Sequence, residues 1–113
     1  MHELSLAENV IRIAETAARN AAAARVTRVR LAVGAFAHVD PDTLQFCCEL
    51  AARQTLLDGA EFLVERTPGQ AFCIDCKQDV ALERIGFPCP QCGGFDLRVT
   101  AGDEMQVLDI AVM

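Results

Sequence analysis

Two C-x-x-C pairs constrain this chain more than any other feature: Cys73-Ile-Asp-Cys76 and, after twelve residues, Cys89-Pro-Gln-Cys92-Gly93-Gly94. Each pair suits a tight turn that aims both sulfurs at one point, and four thiolates so placed close the tetrahedral shell of Zn2+. Pro88 and Pro90 stiffen the second turn, while Gly93 and Gly94 leave room for the backbone to curl. Its N–H groups can then face the sulfurs and offset the negative charge of four thiolates around a dication. The competing readings are a rubredoxin-like iron centre and a pair of disulfides. Disulfides fit poorly because the opening residues do not resemble a secretory signal; six cysteines without one point to a reducing compartment, the cytoplasm. A closed four-cysteine shell has no open position, so its expected role is architectural.

With 113 residues the chain can hold one modest core plus a small metal-stapled lobe. No apolar run approaches the roughly 20 residues that span a bilayer, so no membrane partner is expected. The formal charge of -6 and the absence of Tyr and Trp argue against generic nucleic-acid binding, which needs phosphate neutralisation and stacking platforms. That matters because zinc ribbons are common in transcription and translation machinery.

Along the chain, Leu4, Ala7, Val10, Ile11, Ala14, Ala17, Ala18 and Ala21 recur at helical spacing, predicting an amphipathic helix from residue 4 to about 22. Glu8 with Arg12 and Glu15 with Arg19 form i,i+4 pairs on a solvated face. Val29, Leu31 and Val33 then alternate with Arg28 and Arg30, a strand that Gly34 ends. Asp40-Pro41 reads as an N-cap and first turn. A second helix follows to about Leu57, with Gly59 as its C-terminal cap. Phe62 and Val64 mark another strand, ended by Pro68-Gly69. The interior of the cysteine lobe has few large apolar residues beyond Phe72, Ile74, Val80, Leu82, Ile85 and Phe87, too few for an independent core. Strand character returns from Glu104 to Val112. The expected division is therefore one α/β domain in two pieces, residues 1–69 and 101–113, with a zinc-binding domain, residues 70–100, inserted between two strands.

Catalytic patterns are missing. His2 and His38 are the only histidines, neither in an H-E-x-x-H motif nor beside a nucleophile, and no glycine-rich phosphate loop is present. The chain does not read as an enzyme. His38 reads as a surface or capping residue, Asp40 as a helix cap, and the adjacent Cys47 and Cys48 as small core hydrophobes. The N-terminus is different. An α-amine followed by histidine is a compact chelator, because the Met1 amine, the deprotonated His2 amide and the imidazole close adjacent rings. The Glu3 amide can complete a near-planar nitrogen array suited to Ni(II) or Cu(II).

Met1-His2-Glu3-Leu4-Ser5, the C-x-x-C…C-P-x-C-G-G cage and the closing Gly102-Asp103-Glu104-Met105 together resemble the HypA/HybF family of hydrogenase nickel-incorporation proteins. The resemblance covers essentially the whole chain, in the family's order of elements. It implies an α+β fold, two helices packed on a three-stranded mixed sheet with an inserted four-cysteine zinc-ribbon-like domain. It also implies a nickel metallochaperone with His2 as principal Ni2+ ligand, supported by the Met1 amine and the Glu3 backbone. Cys73, Cys76, Cys89 and Cys92 would hold structural Zn2+. Asp40 matches a position proposed to join the nickel shell in some relatives. The implied partners are a HypB-type GTPase and the NiFe-hydrogenase large subunit, with urease maturation proteins as further clients. Cys47-Cys48 departs from the family pattern. Monomer and homodimer both stay open. Two other readings compete with this one: a zinc-ribbon adaptor for protein or RNA, and a C-x-x-C oxidoreductase, which needs accessible low-pKa thiols rather than metal-blocked ones.

Overall fold

The computed structural model describes residues 2–113; Met1 and the side chain of His2 lie outside the described residues. In chain order the elements are α1 (His2–Asn20), β1 (Val26–Gly34), α2 (Pro41–Ala51), β2 (Glu61–Thr67), β3 (Gly69–Cys73), β4 (Gln78–Leu82), β5 (Leu97–Ala101) and β6 (Met105–Val112). They group into two compact units. One comprises Met1–Ala32, Val39–Glu65 and Gln106–Met113; the other comprises Val33–His38 and Arg66–Met105.

In the first unit α1 buries Ala7, Val10, Ile11, Ala14 and Ala18. Three of these are alanines, which lets α2 pack closely against the stripe. The helix ends at Asn20 and does not follow the alanine run further. Ala22 takes a left-handed φ of 53°, and the Ala23 N–H reaches back to the Ala18 carbonyl at 2.9 Å. Of the two expected charge pairs only Glu15–Arg19 forms, at 3.7 Å, while Arg12 donates to the Asn9 side chain. Glu15 is more than a solvated charge, since its carboxylate also accepts the Leu56 N–H at 3.3 Å.

The first three-stranded sheet has the order β2-β1-β6 and is mixed. Met113 donates to Arg25 at one end of the β1–β6 pair and Gly34 donates to Glu104 at the other, so these strands are antiparallel. β2 returns through α2 and runs parallel to β1, as the bonds Val26 to Leu56 and Ala35 to Thr67 require. Arg30 bridges both neighbours, 3.5 Å from Glu65 and 3.1 Å from Asp109.

α2 begins as its sequence dictates. Asp40 is extended at φ -80° and accepts the Thr43 N–H at 3.2 Å, and Pro41 fills the first turn. The helix stops at Ala51, however, one and a half turns short of Leu57. Thr55 Oγ1 bonds the Ala52 carbonyl at 2.6 Å and Asp58 accepts the Gln54 N–H at 3.1 Å, so side chains take over the groups that further helix would use. Gly59, at φ +80°, turns the chain into β2 and caps nothing. Leu57 stays fully buried from its loop, which is why its periodicity reads as helix.

The second unit is built on an antiparallel sheet of order β4-β3-β5, in which Ala71 lies opposite Val80 on one side and Val99 on the other. Its core is thin: Phe36, Ala71 and Leu82 in one cluster, Cys73, Val80 and Cys89 in another. Because Ala71 and Cys73 point inward, the alternating Phe72 and Ile74 must point out. They are exposed, as are Ile85 and Phe87, contrary to the interior places that sequence pattern assigned them. The missing ring comes from Phe36. A Cβ on Gly69 would sit 2.1 Å from that ring and one on Gly102 3.0 Å from it, so two glycines make its seat. Gly69 thus opens β3 instead of merely ending β2, and residues 33–38 join this unit, fixed by the Phe36 N–H on the Gly102 carbonyl at 2.7 Å.

Candidate metal centre

The two C-x-x-C turns repeat one local geometry. In the first, the Lys77 N–H donates to the Cys73 carbonyl at 2.8 Å; in the second, the Gly93 N–H donates to the Cys89 carbonyl at the same distance. Both donors are left-handed, Lys77 at φ 55° and Gly93 at φ +74°. That curl turns backbone N–H groups onto sulfur. Cys76 donates to Cys73 Sγ, Gln91 to Cys89 Sγ and Gly94 to Cys92 Sγ, each at 3.4 Å. Gly94 has little room for a side chain, because a Cβ there would lie 3.1 Å from Asp75 Oδ2 and 3.4 Å from Cys92 Sγ.

The four sulfurs of Cys73, Cys76, Cys89 and Cys92 all lie within 4.8 Å of one another. Cys73 and Cys92 approach to 3.7 Å, Cys76 and Cys89 to 4.0 Å. Zn–S bonds of about 2.3 Å in a tetrahedron put sulfurs about 3.8 Å apart, so the donor set fits zinc in number, softness and spacing. None of the four is in a disulfide. Backbone donation from Cys92 and Gln91 pulls the Cys89 thiol down to about 7, whereas hydrogen bonding to Cys92 and Cys73 pushes Cys76 up to about 12. Four thiolates cannot all ionise at neutral pH in such proximity by themselves; a dication at their centre removes that obstacle.

Glu3 and Asp40 fall in the first unit. Glu3 lies in the first turn of α1, and its carboxylate accepts the Asp40 backbone N–H across a long 3.5 Å contact. The structure thus brings Glu3 and Asp40 together. The Asp40 carboxylate is engaged by Thr43, through the N–H at 3.2 Å and the hydroxyl at 2.5 Å, and those bonds hold its pKa below the usual carboxylate value. Met1 and the His2 side chain, the other two expected nickel ligands, lie outside the described residues. His38 is exposed at φ 56°, away from any cysteine turn in sequence. Cys47 and Cys48 are both buried on α2. Sequence pattern missed the Glu15–Leu56 bond and the place of Phe36, whose partners are distant in the chain and leave no local signal.

A mixed α/β unit together with a four-cysteine cluster on a separate antiparallel sheet defines an α+β protein bearing a zinc-ribbon-like unit. The family described as hydrogenase/urease nickel incorporation, metallochaperone HypA matches residues 1–112, and the chain belongs to that family. It is 45% identical over 112 residues to hydrogenase maturation factor HypA 2 of Bradyrhizobium diazoefficiens, covering 99% of each chain. It is 44% identical over 113 residues to hydrogenase maturation factor HypA of Rhizobium leguminosarum, covering 100% of each. The solution structure of the Ni metallochaperone HypA from Helicobacter pylori has the same fold, with a TM-score of 0.70 over 98% of this chain and 97% of that one at 20% identity. The chain is accordingly a nickel metallochaperone for hydrogenase maturation with a four-cysteine zinc site, not an enzyme. No helix among the described residues is long and apolar enough to cross a membrane.

Proposed function

We propose that the chain takes up Ni(II) at an amino-terminal chelate formed by the Met1 amine, the His2 amide and imidazole, and the Glu3 backbone. It then hands the ion, with a HypB-type GTPase, to the NiFe-hydrogenase large subunit in the cytoplasm. Urease maturation proteins are further recipients. The observation that carries this reading is the family match, which begins at residue 1 and so includes the chelating segment. Helix geometry supports it. The first N–H groups of α1 have no acceptor one turn back, so amide nitrogens of His2 and Glu3 can bind metal without breaking the helix ladder. The positive end of the helix also favours their deprotonated form.

In the same reading Asp40 stays a cap and an outer partner of the nickel segment, tied to it by the Glu3 contact. Cys73, Cys76, Cys89 and Cys92 hold a resident Zn2+ in a domain of residues 70–100, and residues 1–69 and 101–113 form the nickel-binding domain. The division of labour follows from the chemistry: a terminal chelate is accessible and can be surrendered, whereas a closed thiolate cage retains its ion. Substituting His2→Ala tests this. The variant should lose tight Ni(II) binding in a titration followed by absorption, with one zinc per chain and the helical signal unchanged. Undiminished nickel affinity would mean that nickel is held elsewhere in the chain and would overturn the amino-terminal chelate.

A further inference from the structure

Among the described residues, one cleft in the second unit belongs to neither metal site. It has a volume of about 740 Å3 and is walled by Arg66, Glu83, Arg84, Phe87, Pro88 and Pro90. That volume falls within the roughly 300–1,000 Å3 of small-ligand pockets. Leu82 supplies the apolar floor, and Phe87 keeps 45% of its surface exposed, a large ring left facing solvent beside two prolines. Pro88 and Pro90 bracket Cys89, so the turn that supplies a metal ligand also fixes one wall.

The charges at this cleft run against those of the molecule. The chain carries a formal charge of -6, yet the charged residues that line the cleft are two arginines and one glutamate, Glu83. The ion pairs among the described residues join Glu15 to Arg19 and Arg30 to Glu65 and Asp109; neither Arg66 nor Arg84 takes part in one. Two unpaired arginines beside an exposed ring and a proline wall match a ligand with carboxylates next to an apolar side chain. Proline offers no N–H and arginine no acceptor, so the wall recognises acceptor-rich, apolar-tipped groups.

We propose that this cleft is a docking site for a short acidic, apolar-tipped segment of a partner protein. A nucleic-acid strand fits less well. Its affinity grows with the number of phosphates neutralised, and two arginines beside Glu83 on a chain of charge -6 neutralise few. The proposal does not rest on the nickel site and stands or falls separately from it.

The test is an amide-resolved NMR titration of the zinc-loaded full chain with the blocked peptide acetyl-Asp-Leu-Glu-Phe-amide. The neutral acetyl-Asn-Leu-Gln-Phe-amide serves as control. Saturable shifts should centre on residues 81–90 and on Arg66 with the acidic peptide only. Arg66→Gln and Arg84→Gln should each weaken binding about three- to fivefold, while Glu83→Gln should strengthen it. All three are surface changes, and zinc content with an unchanged spectrum shows that the variants are folded. Shifts elsewhere, equal binding of the neutral peptide, indifference to both arginine substitutions, or tighter binding of a single-stranded oligonucleotide at the cleft would each overturn the proposal.

Discussion

The two units of this chain are held together by different means. In the first, Phe62, Leu31, Leu44, Leu57, Val10 and Val29 are fully buried, and each such side chain contributes about 1.5–3 kcal/mol. In the second, the large buried side chains are Val33, Phe36, Val80 and Leu82, and two of the remaining buried positions are the ligands Cys73 and Cys89. Four apolar side chains at that rate contribute about 6–12 kcal/mol, against the apparent 10–16 kcal/mol or so that a structural zinc supplies to a small domain. One unit is therefore stabilised by burial, and in the other a bound zinc would contribute at least as much as burial does. This suits the carrier proposed above, with a resident ion setting the shape of one unit and the cargo held in the other.

The strongest way to break the contrast is to remove a ligand. Cys73→Ala or Cys89→Ala should abolish zinc retention and unfold the second unit, while α1 and α2 persist in part. Metal analysis together with amide exchange reads both effects, and full zinc retention in both variants would remove the coordination account. Phe36→Ala comes next, at about 3–5 kcal/mol of local stability, because the ring fills a seat shaped by Gly69 and Gly102. Faster exchange should appear along β3 and β4. Unchanged exchange there would mean that the metal alone holds the unit.

A smaller effect belongs to the first unit. Replacing both Cys47 and Cys48 with Ala should cost about 1–2 kcal/mol in denaturant unfolding and leave zinc and nickel stoichiometry intact. Loss of nickel in the folded variant would make one of them a ligand. Burial, aided by the neighbouring Cys47 and Glu49, pushes the Cys48 thiol up to about 12. Its folded pKa lies above the unfolded one, so this contribution is complete below the unfolded value of about 8.5 and fades as pH rises toward 12. Melting from pH 7 to 11 should show a steeper alkaline loss for the native chain than for Cys48→Ala. The smallest effects are at the cysteine turns. Gly93→Ala and Lys77→Gly should change lobe stability by about 1 kcal/mol in opposite directions, down and up, since both positions need a left-handed backbone. Resistance to a chelator ranks the two against the native chain.

What was legible in the sequence divides along the same line. The cage could be read because its information is local: ligand spacing, Pro88 and Pro90, and the Gly93-Gly94 curl all sit within one short stretch. The cap at Asp40-Pro41 was local too, and so was the stripe on α1. The helix end near Ala51 was not, because side-chain bonds from Thr55 and Asp58 outcompete a periodicity that Leu57 extends. Nor was the core of the second unit, where Phe36 comes from a loop some thirty residues earlier and strand alternation turns Phe72 and Ile74 outward. The proposed nickel chelate has its chemistry visible in Met1-His2-Glu3, while Met1 and the His2 side chain lie outside the described residues.

The central claim is that cargo nickel is held by the chain end and resident zinc by the cage. Adding residues before Met1 tests it most directly, because extension turns the amine ligand into a peptide nitrogen while leaving His2, Asp40 and every cysteine in place. Calorimetric titration of the zinc-loaded extended chain with Ni(II) should show tight binding lost, with zinc still at one per chain and the fold unchanged. The native chain, under the same conditions, should bind one Ni(II), more weakly as pH falls and protons compete for the amine and imidazole. An extended chain that binds Ni(II) as tightly as the native one would contradict the account.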